Sequence, residues 1–360
     1  MNKTQPNPGH GYVVREQLGR GRWKEVYRAV VRGEWHDRAL ARFMEQPNGI
    51  DFFDEIKLLF RPQPEHVLKN VARLYPPFKG DDGDIYIPEE LLYRALETLA
   101  PLKMVDQFFR IALDLCTGLA TLHQLDMVHR DLKLDNCGID HFGSAKIFDL
   151  GSVTSEGGKV KGTTLSRAPE LFAADAKCTK QSDVWAMGAV LFALRTGGDY
   201  PFVSKGEAKS RPLDGEARER FDKMVDERVH DPNAEFALRL RISEEFPNGS
   251  GKLLTQMLGF DLTERPSAVD CAEEWRKLLR PWIAAAPLLE QADTPDVIFE
   301  DVSAYLNAVL RETAGMSSLQ WERVLTTIEK LERSNLDESR LLKLHELRKN
   351  VGEKRQSVMA

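Results

Sequence analysis

Hydrophobic and polar positions along this 360-residue chain change their period near residue 100. Before it, short apolar runs alternate with polar residues and are closed by glycine, aspartate or proline, the pattern of half-buried strands. Tyr12-Val13-Val14 leads into Leu18-Gly19-Arg20-Gly21-Arg22-Trp23-Lys24-Glu25-Val26-Tyr27, a strand, glycine turn and strand, and Arg38 to Phe43 predicts another. Asp81-Asp82-Gly83 predicts a hairpin turn, and Ile85-Tyr86-Ile87 a further strand with a hinge from Pro88 onward. Asp51 to Phe60 interrupts the strands with helical spacing at Phe52, Ile56 and Leu59.

After residue 100 the period becomes that of a helix. Val105, Phe108, Phe109, Ala112, Leu115, Leu119 and Leu122 mark one long buried helix between Leu102 and Leu125. Another runs through Ser182-Asp183-Val184-Trp185-Ala186-Met187-Gly188, with others at Leu253–Phe260 and Cys271–Leu279. Residues 203 to 250, dense in charge and in Gly, Pro and Asn, are read as a solvated insertion. Apolar stripes return at Asp296–Arg311, Ser318–Arg333 and Asp337–Asn350, the second opened by a capping box of Ser317 and Gln320.

The densest chemistry is His129-Arg130-Asp131-Leu132-Lys133-Leu134-Asp135-Asn136, followed by an acidic turn at Asp149-Leu150-Gly151. Phosphoryl transfer asks a protein for positioned charges: a carboxylate to orient the attacking hydroxyl, metal ligands, and cations on the phosphates. Asp131 suits the first role. Lys133 projects to the same side of an extended loop, and Asn136 and Asp149 offer oxygens to magnesium.

This order, H-R-D-L-K-x-x-N and then D-L-G, resembles the catalytic core of the protein kinases. His66 to Tyr75 resembles their entry into a fourth strand, Gly162-Thr163-Thr164-Leu165-Ser166-Arg167-Ala168-Pro169-Glu170 is similar to the end of their activation segment, and Glu264-Arg265-Pro266-Ser267 to their late arginine motif. The resemblance implies an α+β, bilobal fold, with a small antiparallel lobe at 12–90 carrying one helix and a large mainly helical lobe at 91–282; Pro6, Pro8 and Gly9 make 1–11 a flexible arm, and the late apolar stripes make 283–360 an all-α extension. The resemblance also implies ATP and Mg2+, or Mn2+, as cofactors and serine or threonine hydroxyls of proteins as acceptors. Asp131, Lys133 and Lys24 would be catalytic; Leu18, Gly19, Gly21, Lys24, Val26, Ala39, Glu55 and Lys133 would hold the nucleotide; Asn136 and Asp149 would hold the metal. Glu170 and Arg265 would form a buried ion pair, Asp183 would hold the catalytic loop from beneath, and Thr163 would hydrogen-bond Asp131 and Lys133. Arg130 would receive a phosphorylated segment, whose hydroxyls are Ser152, Thr154, Ser155, Thr163 and Thr164.

One part departs from the family. The third glycine of the loop is Lys24, and the strand from Arg38 to Phe43 has no lysine: an ungapped count puts Ala41 in its place, a one-residue insertion Arg42. The with-no-lysine (WNK) kinases share both features, which implies Lys24 as the cation on the phosphates, held by a carboxylate such as Glu55. Strand alternation places Ala39 and Ala41 on one face and Arg42 on the other. Two rivals stand beside an active protein kinase: a pseudokinase that senses nucleotide and acts as a scaffold through its C-terminal helices, and a kinase of a small metabolite.

Composition narrows the partners. Fifty basic against 56 acidic side chains give a net charge of −6, so no global field favours nucleic acid or an anionic membrane. The four cysteines, without metal-ligand spacing, suit reduced thiols, and with no apolar leader a cytoplasmic location is the expectation. The extension at 283–360 is expected to dock on the kinase or on a protein partner.

Overall fold

Alternation in the first lobe closes into one antiparallel sheet. In the computed structural model, which describes residues 6–20, 24–33, 37–43, 68–212, 215–246, 248–288, 324–325, 328–329, 332 and 338–359, β1 (Tyr12–Arg20), β2 (Lys24–Val31), β3 (Arg38–Phe43), β4 (Phe78–Lys79) and β5 (Ile85–Glu90) lie in the order β1-β2-β3-β5-β4. The helix expected at Asp51–Phe60 with Glu55, residue Gly21, the stripe at 296–311 and the capping box at Ser317 lie outside the described residues.

Side-chain parity sorts this sheet into two faces. Ala29, Leu40 and Tyr86 are fully buried on the outer face, where Phe78 stacks between Tyr12 and Tyr86 at centroid distances of 5.1 and 5.6 Å. Val26, Ala41, Phe43 and Ile87 face the other way and join Val71, Leu122, Met127, Leu150 and Val153 in a core shared by both lobes.

Two strand expectations need correction. β5 does not end at Ile87 but runs through Pro88 to Glu90, because β4 pairs only with Ile85 and Tyr86 and leaves one flank of β5 without a regular partner there. A residue lacking an N–H is tolerated at such an edge, and the Pro88 carbonyl accepts from Tyr75 N at 2.8 Å. The described part of His66–Tyr75 forms isolated bridges, Val71 to Ile147 and Leu74 to Glu89, and the regular strand comes later, at Phe78.

The large lobe is built on α1 (Val105–Gln124) and α2 (Lys180–Thr196). Thr179 caps α2 in a reciprocal box with Ser182, and Gly197 ends it at φ 92°, a conformation that favours glycine. Short strands β6 (Arg94–Ala95), β8 (Cys137–Ile139) and β9 (Ala145–Ile147) form a second sheet, while β7 (Met127–Val128) pairs with β10 (Thr154–Ser155). These two small sheets flank the catalytic loop.

Residues 203–250, expected as a solvated insertion, instead contain α3 (Lys205–Ser210), α4 (Gly215–Val229) and α5 (Ala234–Glu245) and enter α6 (Asn248–Met257). Their high charge is that of a helical surface with i,i+4 pairs such as Glu216–Arg220 and Glu235–Arg239. Val225 and Val229, then Leu238 and Ile242, recur at four-residue spacing and are buried. Next, α7 (Ala268–Leu288) covers α1, with Trp275 5.7 Å from the rings of both Phe108 and Phe109. No helix among the described residues is long and apolar enough to cross a membrane.

The last described element, α8 (Glu338–Met359), carries one of the predicted C-terminal stripes. Leu344, Leu347 and Val351, with Val324 and Ile328, belong to the same contiguous buried cluster as the large-lobe core. Removing buried methyl groups costs about 2 to 5 kcal/mol for a leucine truncated to alanine. Leu344→Ala should therefore lower unfolding free energy in urea by about 2 kcal/mol or more. An unchanged midpoint would mean that α8 does not contribute to the fold.

Candidate active site

The site starts from a buried acid. Asp183, on the first turn of α2, is 2% exposed, and its Oδ2 and Oδ1 accept the backbone N–H of His129 at 2.6 Å and of Arg130 at 3.0 Å. His123 of α1 lies behind, its Nε2 3.2 Å from Asp183 Oδ2. Fixing those two amides sets the turn that presents Asp131, and within it Arg130 takes a left-handed backbone at φ 70°. Such geometry in a non-glycine residue costs on the order of 1 kcal/mol or more and persists only where neighbours over-determine it.

Asp131 is held at both oxygens. Oδ1 accepts from Thr163 N at 2.9 Å; Oδ2 accepts from Lys133 Nζ at 2.9 Å and from Asn136 Nδ2 at 3.1 Å. The loop beyond is anchored by the Tyr200 hydroxyl, which accepts from Leu134 N at 3.0 Å, and by Ser166, whose hydroxyl donates to the Leu132 carbonyl. Thr163 meets Asp131 through its amide, while its Oγ1 accepts from Leu165 N at 3.3 Å, so the expected hydroxyl contact becomes a backbone one. The reason is Gly162: at φ 85° it passes so close to the loop that a Cβ there would lie 2.3 Å from the Arg130 carbonyl oxygen.

Across the cleft, the amine of Lys24 sits 3.0 Å from Asp149 Oδ1 and 3.8 Å from Glu89 Oε1, with its Nζ 5.9 Å from the centre of the Phe43 ring. Asp149 has φ 59°, a second left-handed residue at the site. Partial burial works to raise its pKa, but Lys24, then Lys133 and His129, hold the carboxyl down at about 2. Arg42, the other candidate cation, is on the opposite face of the sheet. Its guanidinium contacts Asp84 at 2.6 Å, Asp82 at 3.7 Å and Glu25 at 3.7 Å.

The described nucleotide candidates of the small lobe lie on the same sheet as Lys24. Val26 and Ala41 share its face of the sheet, Ala39 pairs with Glu89 on β5, and Leu18, two residues before the end of β1, is exposed. A Cβ built on Gly19 would meet nothing within 4 Å, so protein packing does not demand glycine there. Asn136 spends its Nδ2 on Asp131, which leaves the amide oxygen as the end that can ligate a metal beside Asp149. Two protein oxygens suit magnesium, which keeps waters and takes phosphate oxygens for the rest of its shell.

Comparison with known proteins matches the protein kinase domain family to residues 12–275. The chain belongs to the protein kinase family. It is 30% identical over 203 residues to a probable serine/threonine-protein kinase of Dictyostelium discoideum, covering 52% of this chain and 12% of that protein. It is 38% identical over 194 residues to a dual serine/threonine and tyrosine protein kinase of Pimephales promelas, covering 50% and 21%. Against a putative serine/threonine-protein kinase of Saccharomyces cerevisiae it is 26% identical over 274 residues, covering 71% and 26%. The chain therefore spans a minor part of the length of these relatives.

Other parts of the kinase fold are tied without phosphate. Arg130 donates through Nε to the Ser152 carbonyl at 2.5 Å and through Nη1 to that of Lys159 at 3.1 Å, so its guanidinium already holds the activation segment by its backbone. Arg265 is bidentate to Glu170 at 2.7 and 2.8 Å and also donates to the carbonyls of Gly259 and Gln181. All four cysteines are free and buried, and burial pushes each thiol up, away from reactivity.

Glu89 was missed as a site residue, although its i, i+2, i+4 parity with Ile85 and Ile87 could have placed it once β5 was carried past Pro88. Gly21 and Glu55 lie outside the described residues.

The depressed Asp149 carboxyl gives a test. Its stabilising interaction with Lys24 is present above the ordinary carboxylate range and is lost as pH falls toward 2. In Lys24→Met the Asp149 carboxyl should titrate at higher pH, read from its carbon chemical shift. An unmoved titration would mean that Lys24 does not hold this carboxylate in solution.

Proposed function

We propose that this chain is an ATP-dependent protein kinase that phosphorylates serine or threonine hydroxyls of proteins, with Lys24 supplying the cation on the phosphates. The observation that carries the reading is the Lys24–Asp149 contact of 3.0 Å, together with the commitment of Arg42 to Asp84 on the outer face. A phosphate-binding lysine must stand beside the metal-binding aspartate, and a lysine stem of about 6 Å can reach that point from either strand bordering the phosphates.

In this reading bound Mg-ATP supplies the phosphoryl group and its charge neutralisation. The residues of the chain position it. Asp131, fixed at both oxygens, orients the acceptor hydroxyl and takes up its proton; Lys133, 2.9 Å from that carboxylate, balances charge on the transferred group. Asn136 and Asp149 hold the metal. Lys24 replaces the lysine absent from β3, where Ala41 and its buried neighbours leave only a methyl group. The serine/threonine preference is supported by H-R-D-L-K and by the serine/threonine-protein kinases among the relatives.

A non-catalytic scaffold is the competing reading, favoured only by the missing β3 lysine. The set of Asp131, Lys133, Asn136 and Asp149 argues against it, since a scaffold has no need of an oriented proton acceptor. Packing of α8 against the large-lobe core supports a regulatory or partner-binding role for the C-terminal extension in either case. Phosphorylation between Ser152 and Thr164 would act by displacing the carbonyls that Arg130 now holds.

Single-turnover transfer of labelled phosphate separates these readings. Loss of one phosphate cation costs on the order of 2 to 4 kcal/mol in the barrier, a fall of roughly 30-fold to 1000-fold. Lys24→Met should show that loss, Asp131→Ala should abolish transfer, and Arg42→Met, if folded, should retain it. Collapse in Arg42→Met with Lys24→Met near wild type would reject the relocated lysine; no Asp131-dependent transfer from the unaltered chain would favour the scaffold.

A further inference from the structure

Glu89 is an acid on the cleft face of the central sheet, 6% exposed as a residue, and nothing in the chemistry above uses it. Register puts it opposite Ala39 on β3, one pleat beyond the pair of Ile87 and Ala41, so it shares the face on which Lys24 and Val26 lie. An ionised carboxylate at that depth needs a cation. The amine of Lys24 is 3.8 Å from its Oε1.

We propose that Glu89 is the positioning residue of Lys24, a carboxylate built into β5 that holds the phosphate-binding amine in place; this rests on the reading of Lys24 given above. Among the described residues two acids flank the amine, and they are not equivalent. Asp149, at 3.0 Å, is also the candidate metal ligand, and an amine tied to it alone would neutralise the carboxylate that the metal needs. Glu89 is on the other side and ligates nothing in the proposed reaction. It gives Lys24 a second anchor, so the amine can leave Asp149 without leaving the cleft.

The anchor also has a structural consequence. β2, which carries Lys24, and β5, which carries Glu89, belong to one sheet with only β3 between them. Their charge pair forms when the sheet forms. A pair between a strand lysine and a helix glutamate requires the helix to be correctly docked; this one does not.

Calorimetric titration of the full chain with ADP and with adenosine, in magnesium-containing buffer, tests the proposal. The ratio of the two affinities isolates what the protein gains from phosphates, and adenosine alone monitors the base pocket. Lys24→Met should lower that ratio. Glu89→Gln, nearly isosteric, should lower it by about 3-fold to 10-fold with adenosine binding unchanged, and should add nothing in the Lys24→Met background, because coupled residues are non-additive. Should Glu89→Gln fail to fold, Glu89→Asp, which withdraws the same charge by one methylene, supplies the same comparison. A ratio unchanged or raised by the Glu89 variants while Lys24→Met lowers it would overturn the role of Glu89 and leave Lys24 standing. An additive loss in the double variant would also overturn it. An unaltered ratio in Lys24→Met would reject the Lys24 reading itself.

Discussion

The buried carboxylate of Asp183 is the constraint on which the catalytic loop depends. It accepts two consecutive backbone amides, His129 and Arg130, from inside the large lobe, and so forces the left-handed turn at Arg130. Without that fixed turn, Asp131 would have no defined relation to Lys133, Asn136 or the amide of Thr163. An acid in an apolar helix is costly unless its oxygens are satisfied, and here the satisfied acid and the strained loop each require the other. The Glu170–Arg265 pair does the same for the end of the activation segment, where breaking one partner would leave a buried charge at a cost of about 3 to 5 kcal/mol.

The cleft face of the sheet solves a different problem. β3 presents small side chains, Ala39 and Ala41, where a long cation would otherwise stand, and the space beside them is reached from β2 by Lys24. What chemistry requires is a positive charge at a point, not a residue at a position in the chain. A relocated amine is compatible with an unchanged loop of Asp131, Lys133, Asn136 and Asp149. The outer face of the same sheet meanwhile uses Arg42 structurally, tied to acids at the Asp82–Asp84 turn and to Glu25.

Much of this was legible because the rules involved are local. Period-two alternation separates Arg42 from Ala41, and the family motif points to Asp183 as the acid that holds the catalytic loop from beneath. What escaped were features set by the surroundings. Pro88 suggested the end of β5, since the sequence does not reveal that β4 is only two residues long and leaves that edge open. Stopping there hid Glu89. The helices between 203 and 250 were hidden by their own charged surfaces, whose buried stripes of two and three residues are too short to stand out. The contact of Thr163 through its amide rather than its hydroxyl depends on how closely Gly162 passes Arg130, a distance no motif encodes.

The placement of Lys24 can be read directly by chemistry. An ATP analogue bearing an acyl group on its terminal phosphate transfers that group to an amine lying beside the phosphates, and mass spectrometry of the digested protein reports which lysine received it. Lys24 should carry the label, and excess ATP should prevent it, with Lys133 as a second amine beside Asp131. Labelling confined to lysines outside the cleft, or Lys24 labelling indifferent to ATP, would contradict the assignment of Lys24 to the phosphates.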